Sequence, residues 1–157
     1  MVRTMKLRNL LESGRISFES GITTRKQAFD RIGELLAEAT GVPAPEIARV
    51  LGEREQLGTT GFGGGTAIPH GRLAGVDRMH VAILRLQNPV DWQAMDGVPV
   101  DLLVALIGPD RASADYLKAL ALISRTLREE SMLRKLRGAA DSAALWALVA
   151  DREKAAA

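Results

Sequence analysis

The hydrophobic positions between residues 24 and 56 recur at the spacing of amphipathic helices. Apolar side chains repeat at helical spacing through residues 24–40, and Thr24 with Gln27 has the spacing of a capping box. Gly41 follows this segment and is expected to end it. A proline in the first turn then favours a second helix from Pro45 to about Gln56. The pattern therefore predicts two consecutive helices.

Two later segments are apolar with little alternation, as expected of strands that are covered on both faces of a sheet. They are MHVAILRL (79–86) and VPVDLLVALIG (98–108), and we place them at the centre of the sheet. The connection between them is too short for a crossover helix, which indicates that some strands are antiparallel. A short helix around residues 5–11 and a brief strand at 16–20 are predicted to precede them.

The last third of the chain again has a helical pattern. Ser113 is a candidate N-cap for a helix whose predicted inward stripe consists of Leu117, Leu120, Ala121, Ser124 and Leu127. Two shorter helices are predicted over 131–137 and 141–150. Helices before and after the strands predict an α/β fold, a three-layer sandwich with a mixed sheet between helices. We expect a single domain over 1–157, with an ordered core at about 5–150 and a flexible tail at 151–157.

Composition excludes several classes of function. The 157 residues include 21 basic and 19 acidic side chains, and the net charge of +2 is too small to indicate nucleic-acid binding. The absence of cysteine excludes disulfides, thiolate zinc sites and a cysteine nucleophile. No apolar run approaches the ~20 residues that span a bilayer, and Glu12 comes too early for a secretory signal. We therefore expect a cytoplasmic protein without membrane insertion.

The segment GTTGFGGGTAIPHGR, residues 58–72, combines six glycines with one of the two histidines, His70. Neither the Walker spacing nor the dinucleotide fingerprint fits it, because no lysine arrives in register and Thr66 stands where the last glycine should be. Pro69 fixes its own φ and favours extended geometry before it, which would hold His70 at a strand end. A neutral imidazole there could attack phosphorus, and the glycines would clear the approach of a phosphoryl donor. A structural turn histidine remains the alternative. A metal site formed with His80 is not expected, since no motif places a third ligand.

Taken in order along the chain, these motifs resemble a known family. Arg54, GTTG (58–61), AIPHG (67–71), the apolar strand pair and the helix beginning ADYLKALALISRTL are similar to the mannitol/fructose-type enzyme IIA domains of the bacterial phosphoenolpyruvate-dependent phosphotransferase system. The likeness extends over nearly the whole chain and points in particular to the nitrogen-regulatory branch of that family. It implies a mixed sheet of about five strands.

The resemblance implies that His70 is the phosphorylated nucleophile. Arg54 matches the arginine that lies beside the active histidine in the family, and its guanidinium would neutralise phosphoryl charge. Two hydroxyl side chains, Thr59 and Thr60, could donate to phosphate oxygens or simply cap the loop. We include Gly61 and Thr66 of the same loop among the predicted substrate-binding residues.

Tyr116 departs from the family, which usually carries a second active-site histidine at this position. A tyrosine can donate a hydrogen bond to a phosphoryl oxygen, but it cannot carry positive charge. Lys118 could supply that charge, although residues two apart on a helix do not share a face. Alternatively, Tyr116 is a packed ring at the start of a helix.

The function implied by the resemblance is that of a phosphohistidine carrier with a regulatory role, a phosphotransferase component rather than a turnover enzyme, without a cofactor. The implied partners are a histidine phosphocarrier protein, the upstream enzyme I, and regulatory targets such as sensor kinases or potassium transporters. Two alternatives stay open: a sugar-specific IIA subunit that passes phosphate to a separate IIB, and a binding module that has lost phosphorylation.

Overall fold

The computed structural model describes residues 4–111 and 113–155, which form six helices and six strands within those ranges. In chain order the elements are α1 (Leu7–Leu10), β1 (Leu11–Glu19), α2 (Arg25–Thr40), α3 (Ala44–Gln56), β2 (Gly61–Gly63), β3 (Thr66–Ala67), β4 (His70–Leu73), β5 (His80–Val90), β6 (Val100–Pro109), α4 (Ala114–Arg128), α5 (Glu130–Gly138) and α6 (Ser142–Ala155).

The sheet is mixed, as predicted. Its order is β1-β5-β6-β3-β2, and β4 continues the line of β3 along the same edge of β6. The two long strands β5 and β6 are central and antiparallel, whereas β1 is parallel to β5, and β3 and β4 are parallel to β6. Because β3 and β4 share one position, the sheet is five strands wide, which confirms the expected number.

Alternate residues of β5 and β6 point to two separate apolar cores, which confirms the three layers. On one face, Ala82 and Leu84 pack with α2 and α3. On the other face, Val81 and Ile83 pack with α1, α4, α5 and α6. The uninterrupted apolar sequence of these two strands follows from this burial on both sides.

The first pair of helices begins and ends where the sequence predicts. The Thr24 hydroxyl accepts a hydrogen bond from the Gln27 amide, and the Gln27 side chain accepts one from the Thr24 amide. The backbone of Gly41 has a φ of 72°, a left-handed conformation that glycine adopts without strain. The capping box and the glycine stop are therefore confirmed.

The predicted inward stripe of α4 was only partly right: Leu127 is buried and Leu120 is half-buried, but Ala121 is exposed. Tyr116, Ala119 and Ile123 face the core, and Leu117 is 68% exposed. Apolar residues occupy so many positions between 116 and 123 that helical periodicity fits two adjacent faces. The large ring of Tyr116 selects between them, because it packs against Gly108 of β6, where an added Cβ would lie 2.8 Å from its Cδ2.

The C-terminal helix extends further than predicted. We expected it to end at residue 150 and a flexible tail to follow, but α6 continues to Ala155. The buried carboxylate of Glu153 accepts hydrogen bonds from the backbone amides of Leu7 and Arg8, the latter at 2.6 Å. This contact joins both ends of the chain and explains the added helical turn. Residues 156 and 157 lie outside the described residues.

None of the helices in the described ranges combines the length and the apolar character needed to cross a membrane.

Candidate functional site

His70 is the first residue of β4 and follows directly on the Ile68-Pro69 break between β3 and β4. Its backbone pairs with Leu106 of β6, and its Nδ1 lies 2.7 Å from the carbonyl oxygen of Ile68. A carbonyl oxygen can only accept a hydrogen bond, so Nδ1 carries the proton of the neutral ring. Nε2 is then the ring nitrogen with the free lone pair. The predicted placement of His70 at a strand end is confirmed.

The surroundings of His70 favour its neutral form. Burial lowers the pKa of the imidazole below its ordinary value, and the guanidinium groups of Arg54 and Arg72 act in the same direction. The hydrogen bond to Ile68 and the carboxylate of Glu55 oppose this shift but do not reverse it. At neutral pH, the imidazole of His70 is therefore uncharged.

His70 lies in an open groove of about 610 Å³ between α3 and α4. Three elements line it, and their lining residues include Arg54 and Leu57 at the end of α3, His70 and Arg72 on β4, and Tyr116 and Leu117 on α4. Leu57 is 85% exposed and Leu117 is 68% exposed. The groove thus combines an imidazole, two cations and an exposed apolar rim.

Arg54 lies where the resemblance implied. Its Nη1 donates a 2.9 Å hydrogen bond to the carbonyl oxygen of Gly58, which ties the loop after α3 to the helix. The residue is partly buried and lines the groove together with His70.

Tyr116 lies opposite His70 in the groove. The two ring centroids are 6.4 Å apart and the ring planes are inclined by 51°. Burial raises the pKa of the Tyr116 hydroxyl to about 12, so the group remains protonated, and a hydrogen-bond donor, at neutral pH. The sequence prediction that Tyr116 belongs to the site of His70 therefore agrees with its position.

Arg72 was missed by the sequence analysis. It follows His70 by two residues on β4, and its Cζ lies 5.0 Å from the ring centroid of Tyr116. The period of two in a strand places alternate residues on one side, so the spacing of His70 and Arg72 could have revealed this neighbour.

Glu55 was also missed, and hydrogen bonds connect it to His70. Its buried carboxylate accepts hydrogen bonds from the backbone amide of Thr60, at 2.6 Å, and from the Thr60 hydroxyl. The carbonyl oxygen of Thr60 accepts a 3.0 Å bond from the amide of Ile68. Since the Ile68 carbonyl binds Nδ1 of His70, one chain of hydrogen bonds runs from Glu55 to the imidazole.

Five predicted substrate-binding residues do not line the groove, and most of their polar groups have protein partners. Thr60 binds Glu55, Thr59 donates to the Trp92 carbonyl, and Thr66 donates to the Gly63 carbonyl. The amide of Gly61 donates to the Thr59 hydroxyl oxygen. Lys118 is exposed on α4 beside the groove residue Leu117.

The glycine run lies away from His70. Gly65 accepts hydrogen bonds from the amides of Asp101 and Leu102, whereas His70 pairs with Leu106, about 13 Å further along β6. Gly64 donates to the Asp96 carboxylate, and its carbonyl accepts from Arg137. These glycines permit a tight turn between β2 and β3. The expectation that they clear the approach to His70 was therefore wrong.

His80 is separated from His70 by β6. It pairs with Ile107 on the opposite edge of that strand, is almost fully buried, and its Nε2 has no hydrogen-bond partner in the described part of the chain. It takes no part in the groove.

Comparison with known proteins agrees with this geometry. The family described as "Phosphoenolpyruvate-dependent sugar phosphotransferase system, EIIA 2" matches residues 9–152. The chain is 42% identical over 129 residues to a nitrogen regulatory protein of Bradyrhizobium diazoefficiens, covering 82% of this chain and 84% of that protein. Identity to a nitrogen regulatory protein of Pseudomonas aeruginosa is 38% over 148 residues, with 94% and 96% coverage.

Among solved structures, the nitrogen regulatory protein IIA-Ntr of Neisseria meningitidis superposes with a TM-score of 0.85 at 30% identity, covering 91% of this chain and 98% of that one. These matches confirm the resemblance that the motifs around His70 indicated. The chain therefore belongs to the EIIA 2 family of the phosphoenolpyruvate-dependent sugar phosphotransferase system.

Proposed function

We propose that this chain is a phosphohistidine carrier with a regulatory role, which accepts a phosphoryl group on Nε2 of His70 from a histidine phosphocarrier protein supplied by enzyme I. The observation that carries the proposal is the hydrogen bond from Nδ1 to the Ile68 carbonyl, because it fixes the tautomer whose Nε2 can attack phosphorus.

The transfer is a displacement between two imidazoles. The Nε2 lone pair of His70 forms a bond to phosphorus while the donor's phosphorus–nitrogen bond breaks, and the electron pair of that bond returns to the donor ring. If the donor ring enters protonated on its other nitrogen, it leaves neutral, and His70 retains its Nδ1 proton and acquires the positive charge. The Ile68 carbonyl stabilises that charge, and Arg54 stabilises the phosphoryl oxygens.

The regulatory role follows from the position of the new charge. A phosphoryl group on His70 would add about two negative charges to a groove whose rim carries the exposed side chains of Leu57 and Leu117. A partner that docks on this apolar rim would bind the two states with different affinities. The relatives are named nitrogen regulatory proteins, which favours a regulatory role over transfer to a sugar. The proposed targets are regulatory proteins such as sensor kinases or potassium transporters.

The test is phosphorylation with phosphoenolpyruvate, enzyme I and a histidine phosphocarrier, using native protein, His70→Ala and the matched control His80→Gln. We expect an acid-labile, alkali-stable label on native protein and on His80→Gln, and none on His70→Ala. No label on native protein, or equal labelling of His70→Ala, would refute the proposal.

The same assay separates the alternatives. Onward transfer of the label to a IIB domain would indicate a sugar-specific IIA subunit. Labelling of a Tyr116→His variant, with native protein unlabelled, would indicate a binding module that has lost phosphorylation.

A further inference from the structure

Arg72 and Tyr116 form a pair at the edge of the groove that the transfer step above does not use. The Arg72 guanidinium lies over the Tyr116 ring, with Cζ 5.0 Å from the ring centroid. The same ring lies 6.4 Å from the ring of His70. A cation over an aromatic face is stabilised by the ring's quadrupole, so this contact orients the guanidinium beside the nucleophile.

The backbone is shaped to hold this pair. Arg72 pairs with Gly108 of β6, and any Cβ at Gly108 would come within 2.8 Å of the Tyr116 ring. Gly108 thus leaves the space in which the ring of Tyr116 lies against the sheet. Since His70 and Arg72 are two residues apart on one strand, their side chains leave the same side of β4.

The charge of Arg72 is free to act on a ligand. Within residues 4–111 and 113–155, Arg72 makes no salt bridge, unlike Arg49, Arg137 and Arg152. The one carboxylate that lines the groove, Glu53, is engaged by Arg49 at 2.6 Å. A phosphoryl group on His70 would therefore meet two guanidiniums, Arg54 from α3 and Arg72 from β4.

We propose that Arg72, held by the ring of Tyr116, is the second cationic phosphoryl-binding residue of the groove, and that the Tyr116 hydroxyl donates a hydrogen bond to a phosphoryl oxygen. The pair takes the place of the second histidine that is usual in the family. This inference rests on the proposed function, because it needs a phosphoryl group on His70.

With Arg72 and Tyr116 in place of a second histidine, the groove has one fewer group that titrates near neutral pH. A second histidine would change its charge between pH 5 and 8, whereas a guanidinium stays charged and the pKa of Tyr116 is raised to about 12 by burial. The Tyr116 hydroxyl therefore keeps its proton in the physiological range. Any pH dependence of the native transfer then comes from His70, the phosphoryl group and the donor.

The test compares native protein with Arg72→Gln, Tyr116→Phe and the matched control Arg134→Gln, an exposed arginine on α5 outside the groove. The measurements are the rate of label transfer from the phosphocarrier and the ³¹P NMR titration of phospho-His70. We expect Arg72→Gln to lower the rate about 10- to 100-fold and to raise the pKa of the phosphoryl group, because a nearby cation stabilises its dianion.

Tyr116→Phe keeps the ring under Arg72 and removes only the hydroxyl, so we expect a smaller loss, about 3- to 10-fold. Tyr116→His is expected to introduce a new pH dependence of the rate between pH 5.5 and 8. Arg134→Gln should match native protein in both measurements, and circular dichroism of each variant checks that it is folded.

The outcomes separate the two proposals. If native protein is labelled and Arg72→Gln matches it in rate and ³¹P titration, the role of Arg72 is wrong and the carrier function stands. If native protein takes no label at all, the carrier function and this inference fail together.

Discussion

Two arginines lie at opposite ends of the line formed by β3 and β4, and their surroundings differ. Arg137 lies at the glycine turn, where its Nη2 donates to the Asp101 carboxylate at 2.8 Å and to the Gly64 carbonyl at 2.7 Å. Arg72 lies at the groove over an aromatic ring, without a carboxylate partner among the described residues. The guanidinium of Arg137 is therefore bound by groups of the protein, whereas the guanidinium of Arg72 is available to bind a ligand.

The two arginines show that the glycine-rich segment 58–72 has a structural part at its turn and a ligand-facing part at its end. The turn at residues 63–65 is closed by Asp96, Asp101 and Arg137, so its donors and acceptors are paired within the protein. The end at residues 70–72 presents an imidazole and a cation to the groove. An unpaired cation beside a nucleophile indicates an anionic ligand, whereas a paired cation beside glycines indicates a turn.

The largest expected effect is that of Gly65→Ala on stability. Gly65 has a φ of 82°, and a Cβ there would lie 2.7 Å from Nη2 of Arg137 and 3.3 Å from the Pro99 carbonyl oxygen. The strained backbone, the close approach to Pro99 and the displacement of Arg137 from its hydrogen-bond partners should together lower the free energy of unfolding by about 2–4 kcal/mol. Urea denaturation measures this change, and transfer to His70 in the folded protein should remain at the native rate.

The matched control is Gly64→Ala, in the same turn. Gly64 has a φ of 64°, but an added Cβ would meet nothing within 4 Å. This variant should therefore lose only the cost of the left-handed backbone, about 1 kcal/mol. Equal destabilisation of the two variants would show that the packing of Gly65 against Arg137 is unimportant.

A smaller loss is expected from Glu55→Gln, on the groove side of the comparison. The two carboxylate oxygens of Glu55 accept one hydrogen bond each, from the amide and the hydroxyl of Thr60. A glutamine has only one acceptor oxygen and presents an NH₂ group in place of the other, so one buried donor of Thr60 loses its acceptor. The expected loss is about 1–3 kcal/mol in the free energy of unfolding. Unlike Gly65→Ala, this variant should also slow transfer, because the Thr60–Ile68 link that fixes the His70 tautomer loosens.

¹⁵N NMR of the imidazole measures that tautomer directly. The fraction of His70 with a protonated Nδ1 should fall in Glu55→Gln and stay native in Glu38→Gln, a control at an exposed carboxylate of α2 that does not line the groove. If the tautomer were unchanged in Glu55→Gln, the chain of hydrogen bonds would have no influence on the nucleophile.

Breaking the Arg137–Asp101 pair should have a smaller effect still. Both side chains are about one third exposed, with relative accessibilities of 32% and 28%. Solvent screening then limits the coupling energy to about 1 kcal/mol. A double-mutant cycle with Arg137→Gln and Asp101→Asn measures it in urea, and a coupling near zero would remove the structural role assigned to this pair.

The sequence predicted the layers and the sheet because their signals are local or repetitive. The capping box of Thr24, the stop at Gly41 and the apolar strands β5 and β6 each depend on residues that are close in the chain. The α4 stripe was right at Leu127 and wrong at Leu117, because apolar residues on two faces made the helical period ambiguous and only the fit of Tyr116 against Gly108 decides it.

The site was predicted only as far as motif and resemblance reach. His70, Arg54 and Tyr116 were placed together correctly, but the threonines of the loop were assigned to substrate although their hydroxyls bind Glu55 and backbone carbonyls. The hydrogen-bond partner of a threonine hydroxyl depends on which residues the tertiary fold brings next to it, and the spacing of residues in the sequence does not show this. Arg72 was overlooked although its spacing from His70 on a strand was visible.

The smallest expected effect compares the two histidines on either side of β6. Burial lowers the pKa of His80, and the positive charges of Arg15 and Arg78 act in the same direction, against Asp77 and Glu12. His70 is shifted in the same direction, also chiefly by burial. The unfolded chain therefore binds more protons than the folded one below the ordinary histidine pKa of 6.5, so stability is lost as the pH falls from that value through the folded pKa. Urea denaturation between pH 7.5 and 5 should show this slope. It should become shallower in His80→Phe and in His70→Gln, and shallowest when both are combined, whereas an unchanged slope in the double variant would assign the loss to other groups.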